Sequence, residues 1–161
     1  MPTLIAKFHA IHPCISFNLV LAATDRIIEA LVHDQADIGI SFNAKRRKDI
    51  TVAARYAEPV SCIVSPRHPL AKLKSVTLKM LEQYPLALPN DSFGLRQLID
   101  AAAERRGIVF NKLLTTNSLE VTKAFAAKGI AAAFMPPFTV RAEVARGSLR
   151  CVPVIEAGFR N

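Results

Sequence analysis

"PLALPNDSFGLRQLIDAAAERRGIVFNKLLTT", residues 85–116, holds the reading on which the fold turns. A short apolar run ends at Pro89, and a polar knot, Asn90-Asp91-Ser92, follows it. A long helix is expected over 92–106, closed by Gly107 as a left-handed cap. "NKLLTT" then returns to strand character. Strand, helix and strand in that order imply parallel neighbours joined by a right-handed crossover.

The same alternation extends in both directions. Upstream, residues 2–12 place Leu4, Ile5, Phe8 and Ile11 on one helical stripe. "ISFNLVLA" alternates Ile15, Phe17, Leu19 and Leu21 as a half-buried strand would. "TDRIIEALVHDQ" turns helical through Ile27, Ile28, Leu31 and Val32, and "ADIGIS" is a short strand. "ITVAARY" and "EPVSCIVS" read as further strands, "PRHPLAKLKS" as a proline-marked connection and "VTLKMLEQY" as a short helix. Downstream come a helix over 118–128 stopped by Gly129 and a strand at "AAAFM". A helix from Pro136-Pro137 to Ala145 and a strand at "SLRCVPVI" follow. The expected fold is α/β with two Rossmann-like lobes: residues 1–57 with 146–161, and residues 58–145. Extended crossing strands at 57–65 and near the end of the chain would join them.

Composition narrows the function. The 161 residues are 51% hydrophobic and 21% charged, ordinary for a globular chain able to bury a core. No apolar run approaches a membrane span, and no secretory leader is read at "MPTLIAKFHAIHP". Cys14, Cys62 and Cys151 are too scattered for a C-x-x-C motif and read as reduced thiols of a cytoplasmic protein. Much of the positive charge behind the net +8 sits in "AKRRKD" at 44–49 and in scattered helix-surface residues such as Arg105, Arg106 and Lys123; no aromatic residues interleave with that run to stack on bases, so a solvated loop is expected.

No catalytic pattern stands out. A G-x-S-x-G elbow, a P-loop and a G-x-G-x-x-G turn are all absent from the sequence. His9 and His12 have helical spacing but no acidic or cysteine partner, so no metal and no cofactor are expected. His68 belongs to a turn, and His33 lies near a helix C-terminus that favours partial positive charge.

Three strand-to-helix junctions are more informative: "LVLAATDRII", "LALPNDSFGLRQ" and "LLTTNSLEVTK". Each carries short polar residues, which serve either as ordinary N-caps or as the lining of a ligand site. In an open parallel sheet such helix starts gather at the carboxyl edge, where ligands bind. Free amides and small polar side chains facing each other across a hinge suit a small anion without any catalytic group.

"LIAKFHAIHPCISFNLVLAATDRIIEALVHDQADIGIS" resembles the opening of the effector-binding domain of LysR-type transcriptional regulators. The likeness rests on the Phe8–Pro13 step, the capped helix and the acidic "ADIGI". "EPVSCIVSPRHPLA", "NSLEVTKAFAAKGIAAAFMP" and "EVARGSL" are similar to later segments of that domain in the right order. The resemblance implies a fold like the type 2 periplasmic binding proteins and an inducer cleft between two lobes. It places Thr24, Phe42, Pro89, Asn90, Ser92, Phe93, Asn117 and Ser118 around that cleft, with Arg96 either reaching an anion or bracing the lobes.

The polar helix starts favour a small anionic effector such as a carboxylate, and the resemblance implies a homo-oligomer built through helices 25–34 and 92–106, tetrameric at full length. DNA would be contacted only through a winged helix-turn-helix that these residues do not contain, and no membrane is expected as partner. The family's first strand of this domain, before "LIAKF", and its last strand and helix have no counterpart here, and Ala131 replaces a family glycine, so a fragment is expected. A solute-binding protein of a transport system shares the fold and is the alternative. An enzyme on this fold, such as a dehydratase or deaminase, would need an acid-base pair that the sequence does not offer.

Overall fold

Residues Ser61–Val64 (β1) are buried along their whole length and apolar after Ser61, as expected of a strand covered on both faces. In the computed structural model, which describes residues 2–156 and 159, β1 lies inside a five-stranded sheet. The other strands are Pro85–Leu88 (β2), Asn111–Thr115 (β3), Ala132–Met135 (β4) and Arg150–Pro153 (β5), in the order β3-β2-β4-β1-β5. β2 runs parallel to both β3 and β4, and β1 runs antiparallel to β4 and β5. The two expected crossing strands are therefore β1 and β5, side by side, with Cys62 opposite Val152.

Two-residue alternation assigns each strand side chain to a face. Cys62, Val64, Leu86, Leu88, Ala132 and Phe134 enter the larger apolar cluster. Ile63, Ala87, Ala133 and Met135 enter a smaller one on the other side. The larger face is covered by Gly94–Arg105 (α4) through Leu98, Ile99, Ala102 and Ala103. Phe110 and Phe159 add rings on either side of Phe134, at centroid distances of 6.0 and 6.2 Å. The smaller face is covered by Leu119–Ala127 (α5) through Ala126, with Val140 and Leu149. Burying each large aliphatic side chain contributes roughly 2–3 kcal/mol, which makes this three-layer core the stable part of the chain.

The connections behave as their sequences imply. "PRHPLAKLKS" contains a 3₁₀ turn, Pro69–Lys72, whose first amide is capped by His68 Nδ1. Leu78–Leu81 (α3) is capped by Thr77, and a further 3₁₀ turn, Pro137–Val140, leads into Arg141–Ala145 (α6). α4 ends at Gly107, φ 62°, where the Gly107 amide donates to Glu104 and the Ile108 amide to Ala103, the Schellman pattern.

The N-terminal part departs from expectation. Pro2–Ile11 (α1) and Thr24–Val32 (α2) form, but among the described residues no strand lies between residues 12 and 60. "ISFNLVLA", "ADIGIS" and "ITVAARY" keep their alternation of residue types yet enter no ladder, and Leu21 and Ile38 are more than four-fifths exposed. A strand exists only when a neighbour takes its amides and carbonyls, and among the described residues these segments pair with no strand. The segment expected with the first lobe at 146–161 contributes β5 to the same sheet as β1.

A Cβ placed on Gly107 meets nothing within 4 Å, so Gly107→Ala isolates the cost of the left-handed backbone. The expected loss is about 1 kcal/mol, read as a lower urea midpoint with unchanged slope.

Candidate functional site

Because β2, β3 and β4 are parallel, their C-terminal ends at Leu88, Thr115 and Met135 share one sheet edge. α4 and α5 both start there. The two junctions are tied by the Thr116 amide, which donates to the Leu88 carbonyl at 3.1 Å. α2 brings its own first turn to the same place, since the Gly94 amide at the start of α4 donates to Thr24 Oγ1 at 3.1 Å. The three junctions picked out in the sequence therefore converge.

Only one of the three is capped by a side chain. Ser118 accepts from the Val121 amide at 3.3 Å and caps α5. α2 has Ala23 at its N-cap and α4 has Phe93, and neither makes a side-chain cap. Ordinary capping thus accounts for Ser118 and not for Thr24 or Asn90–Ser92. The positive ends of α2 and α4 meet at Thr24 without local acceptors of their own.

Thr24 is the node. Its side-chain oxygen accepts from the Gly94 amide and also from the Ser41 hydroxyl at 3.0 Å, while Thr24 is only 8% exposed. Phe42 follows Ser41 and packs its ring against the larger core cluster. The Phe42 carbonyl lies so close to Gly94 that a Cβ there would stand 1.8 Å from the oxygen. Glycine at 94 is required by contact rather than by backbone angle.

The 89–93 loop folds back on itself, with the Phe93 amide donating to the Asn90 carbonyl at 3.1 Å. Pro89, Asn90, Ser92 and Phe93 are half-buried around the start of α4. Asn117 is exposed and Ser118 half-buried, one strand further along the same edge. Arg96, 7% exposed, spends its guanidinium on Asp100 at 2.7 Å and on the Pro89 carbonyl at 2.8 Å. It braces the loop to its own helix.

Other candidates lie elsewhere. Among the described residues no group of three or more His, Cys, Asp or Glu is disposed to hold a metal ion. His33 caps the C-terminus of α2, and the His12 ring sits 4.6 Å from Phe8. Cys62 and Cys151 are on adjacent strands but one residue out of register, so they point to opposite faces. Burial, with a smaller push from Cys151, raises the Cys62 thiol to about 12, leaving it un-ionised. In the basic run, Arg47 pairs with Asp49 at 2.6 Å on an exposed loop. Two open grooves lie away from Thr24. One, of about 560 Å³, is lined by α1 and residues 15–19. The other, about 620 Å³, lies between Ser65–Pro69 and Lys128–Gly129, at the opposite sheet edge.

Sequence reasoning missed Ser41 and Gly94. Ser41 ends the "ADIGIS" segment, and Gly94 follows Phe93 near the start of the helix expected over 92–106. A polar residue just past a strand and a glycine at a helix start were the available signals.

Residues 1–160 match the LysR substrate binding domain family, and the chain belongs to it. It is 30% identical over 155 residues to the HTH-type transcriptional regulator CysB of Burkholderia cenocepacia, covering 96% of this chain and 49% of that protein. It is 23% identical over 154 residues to the RuBisCO operon transcriptional regulator of Acidithiobacillus ferrooxidans, covering 96% and 50%. The chain spans about half the length of these curated relatives. Among solved structures it is similar to the effector binding domain of QuiR in complex with shikimate, with TM-score 0.79, 23% identity and coverage of 97% and 74%. It is also similar to the Synechocystis PCC6803 CcmR regulatory domain in complex with 2-PG, with TM-score 0.83, 20% identity and coverage of 99% and 76%. At those identities the structures establish the fold, the periplasmic-binding-protein-like α/β arrangement expected above. Both curated relatives are named as transcriptional regulators, and neither name describes a transport protein or an enzyme.

Arg96→Met keeps the aliphatic packing but leaves the half-buried Pro89 carbonyl without the guanidinium donor. A loss of about 1–3 kcal/mol is expected in urea unfolding, and an unchanged midpoint would show that the brace carries no weight.

Proposed function

We propose that this chain is the part of a LysR-type transcriptional regulator that senses a small anionic molecule, a carboxylate or a similar oxyanion. The observation that carries this reading is the meeting of two helix starts whose own N-cap residues supply no side-chain cap, α2 and α4, at Thr24, Ser41 and Gly94. Amides and hydroxyls converging at positive helix ends favour a negatively charged guest, and no reactive acid-base pair accompanies them. Phe42 and Phe93 supply apolar walls, and Asn90, Ser92, Asn117 and Ser118 supply short polar groups along the same edge. The names of two solved neighbours, with shikimate and with 2-PG, are in keeping with a guest of this size.

In this reading residues 58–145 form one half of the sensor, and residues 1–57 with the returning segment 146–161 form the other. The guest changes how the halves sit, and it can do so only by binding one arrangement better than the other. The relayed motion acts on DNA through a module outside residues 1–161, in a cytoplasmic homo-oligomer, a dimer that becomes a tetramer at full length. Helices α2 and α4 are the proposed dimer contacts. No helix among the described residues is long and apolar enough to cross a membrane, which is compatible with that setting.

The test is calorimetric titration of the purified chain with a panel of small carboxylates and phosphate esters. At least one should bind, and Ser92→Trp should weaken that binding about tenfold or more while the circular dichroism spectrum stays unchanged. Equal binding by the variant would remove the 89–93 loop from the site.

A further inference from the structure

The groove of about 620 Å³ between Ser65–Pro69 and Lys128–Gly129 takes no part in the sensing edge. Three chain turns build it. β1 ends at Val64, α5 turns into β4 through Gly129, and α6 turns into β5 through Gly147. Because β1 is antiparallel to β4 and β5, its last residues lie beside the first residues of both, with Val64 opposite Arg150. The turns therefore meet at one corner of the sheet, away from the strand ends at Leu88, Thr115 and Met135.

Ser65 is the buried polar side chain at that corner, 6% exposed. Its oxygen accepts from the Arg67 amide at 3.1 Å, but among the described residues no acceptor takes its proton. A Cβ placed on Gly129 would stand 3.7 Å from that oxygen, so the absence of a side chain at 129 leaves the hydroxyl open to the groove. Arg67 and Lys128 are exposed on the groove walls, and neither has an acidic partner among the described residues. Glu143 of α6 is already held by Lys123 at 3.2 Å, with Arg146 at 3.8 Å. The C-terminal ends of α5 and α6 also lie here, each bringing roughly half a negative charge at most. Two full positive charges outweigh them.

We propose that this groove is a second ligand site, taking the phosphate group of a small organic phosphate monoester on the Ser65 hydroxyl, the Arg67 guanidinium and the Lys128 ammonium. It does not depend on the sensing edge around Thr24. A phosphate monoester carries close to two negative charges at neutral pH, matching two unpaired cations, whereas a carboxylate carries one. Ser65 already accepts one hydrogen bond and has one left to give, and a phosphate oxygen only accepts. Pro66, Pro69 and Ala127 line the groove beside these donors and suit the organic part of the guest. The volume lies within the range of small-molecule sites.

Phenyl phosphate is the probe, titrated into the isotope-labelled chain and followed by NMR. Saturable shifts are expected at the amides of Ser65, Arg67, His68, Lys128, Gly129 and Ser148. Phenylacetate, a monoanion of similar shape, should bind at least about threefold more weakly. Lys128→Gln and Arg67→Gln should each weaken phenyl phosphate about threefold to tenfold, as should Ser65→Ala. Ser65→Ala also takes the acceptor from the Arg67 amide, so the two exposed variants keep the test decisive should that turn loosen. Ser92→Trp, at the other edge of the sheet, should leave these shifts unchanged.

Shifts confined to residues 89–93, or abolished by Ser92→Trp, overturn the second site and leave the sensor reading standing. Parent-like affinity in both Lys128→Gln and Arg67→Gln overturns it too. Shifts that never saturate and spread over exposed lysines and arginines alike mean diffuse charge attraction, and the site falls.

Discussion

Backbone groups in the middle of a sheet must be paired on both sides, and β1 is where this chain meets that demand. It accepts β4 on one side and β5 on the other, both antiparallel. β4 then carries the sheet onward through the parallel strands β2 and β3. Remove that pairing and the two apolar clusters lose their common wall, since β1, β2, β4 and β5 send alternate residues to each. The parallel half of the sheet fixes which ends of which strands lie together. The starts of α4 and α5 follow from it.

The same constraint explains what was legible in the sequence. From residue 61 onward the strand and helix segments form close to where their patterns put them, because each has a partner within the described chain. "PLALP" and "AAAFM" become neighbouring parallel strands, and Gly107 and Gly129 close helices as their positions suggested. Before residue 61 the same patterns mislead. "ISFNLVLA" and "ADIGIS" have the composition of strands, but periodicity records which side chains prefer to be buried, not whether a neighbour is present to bury them. Helices α1 and α2 escape this limit, since their hydrogen bonds are internal.

At the site, the sequence supplied the junctions but not their wiring. Thr24 was legible as a polar residue at a helix start. That its oxygen reaches an amide seventy positions away was not, because it depends on how α2 docks onto the start of α4. Arg96 illustrates the opposite case: charge alone left it between a ligand contact and a brace, and the short distances to Asp100 and to the Pro89 carbonyl describe a brace. Gly94 was hidden because its value lies in the side chain it lacks.

The bare segments around "ISFNLVLA" have a thermodynamic consequence. A part of the chain that buries little apolar surface releases little heat capacity when it opens, whereas the five-stranded core releases most of it. Melting would then proceed in stages, with calorimetric and van't Hoff enthalpies unequal. A single transition temperature would describe the sheet and stay silent about the segments that precede it.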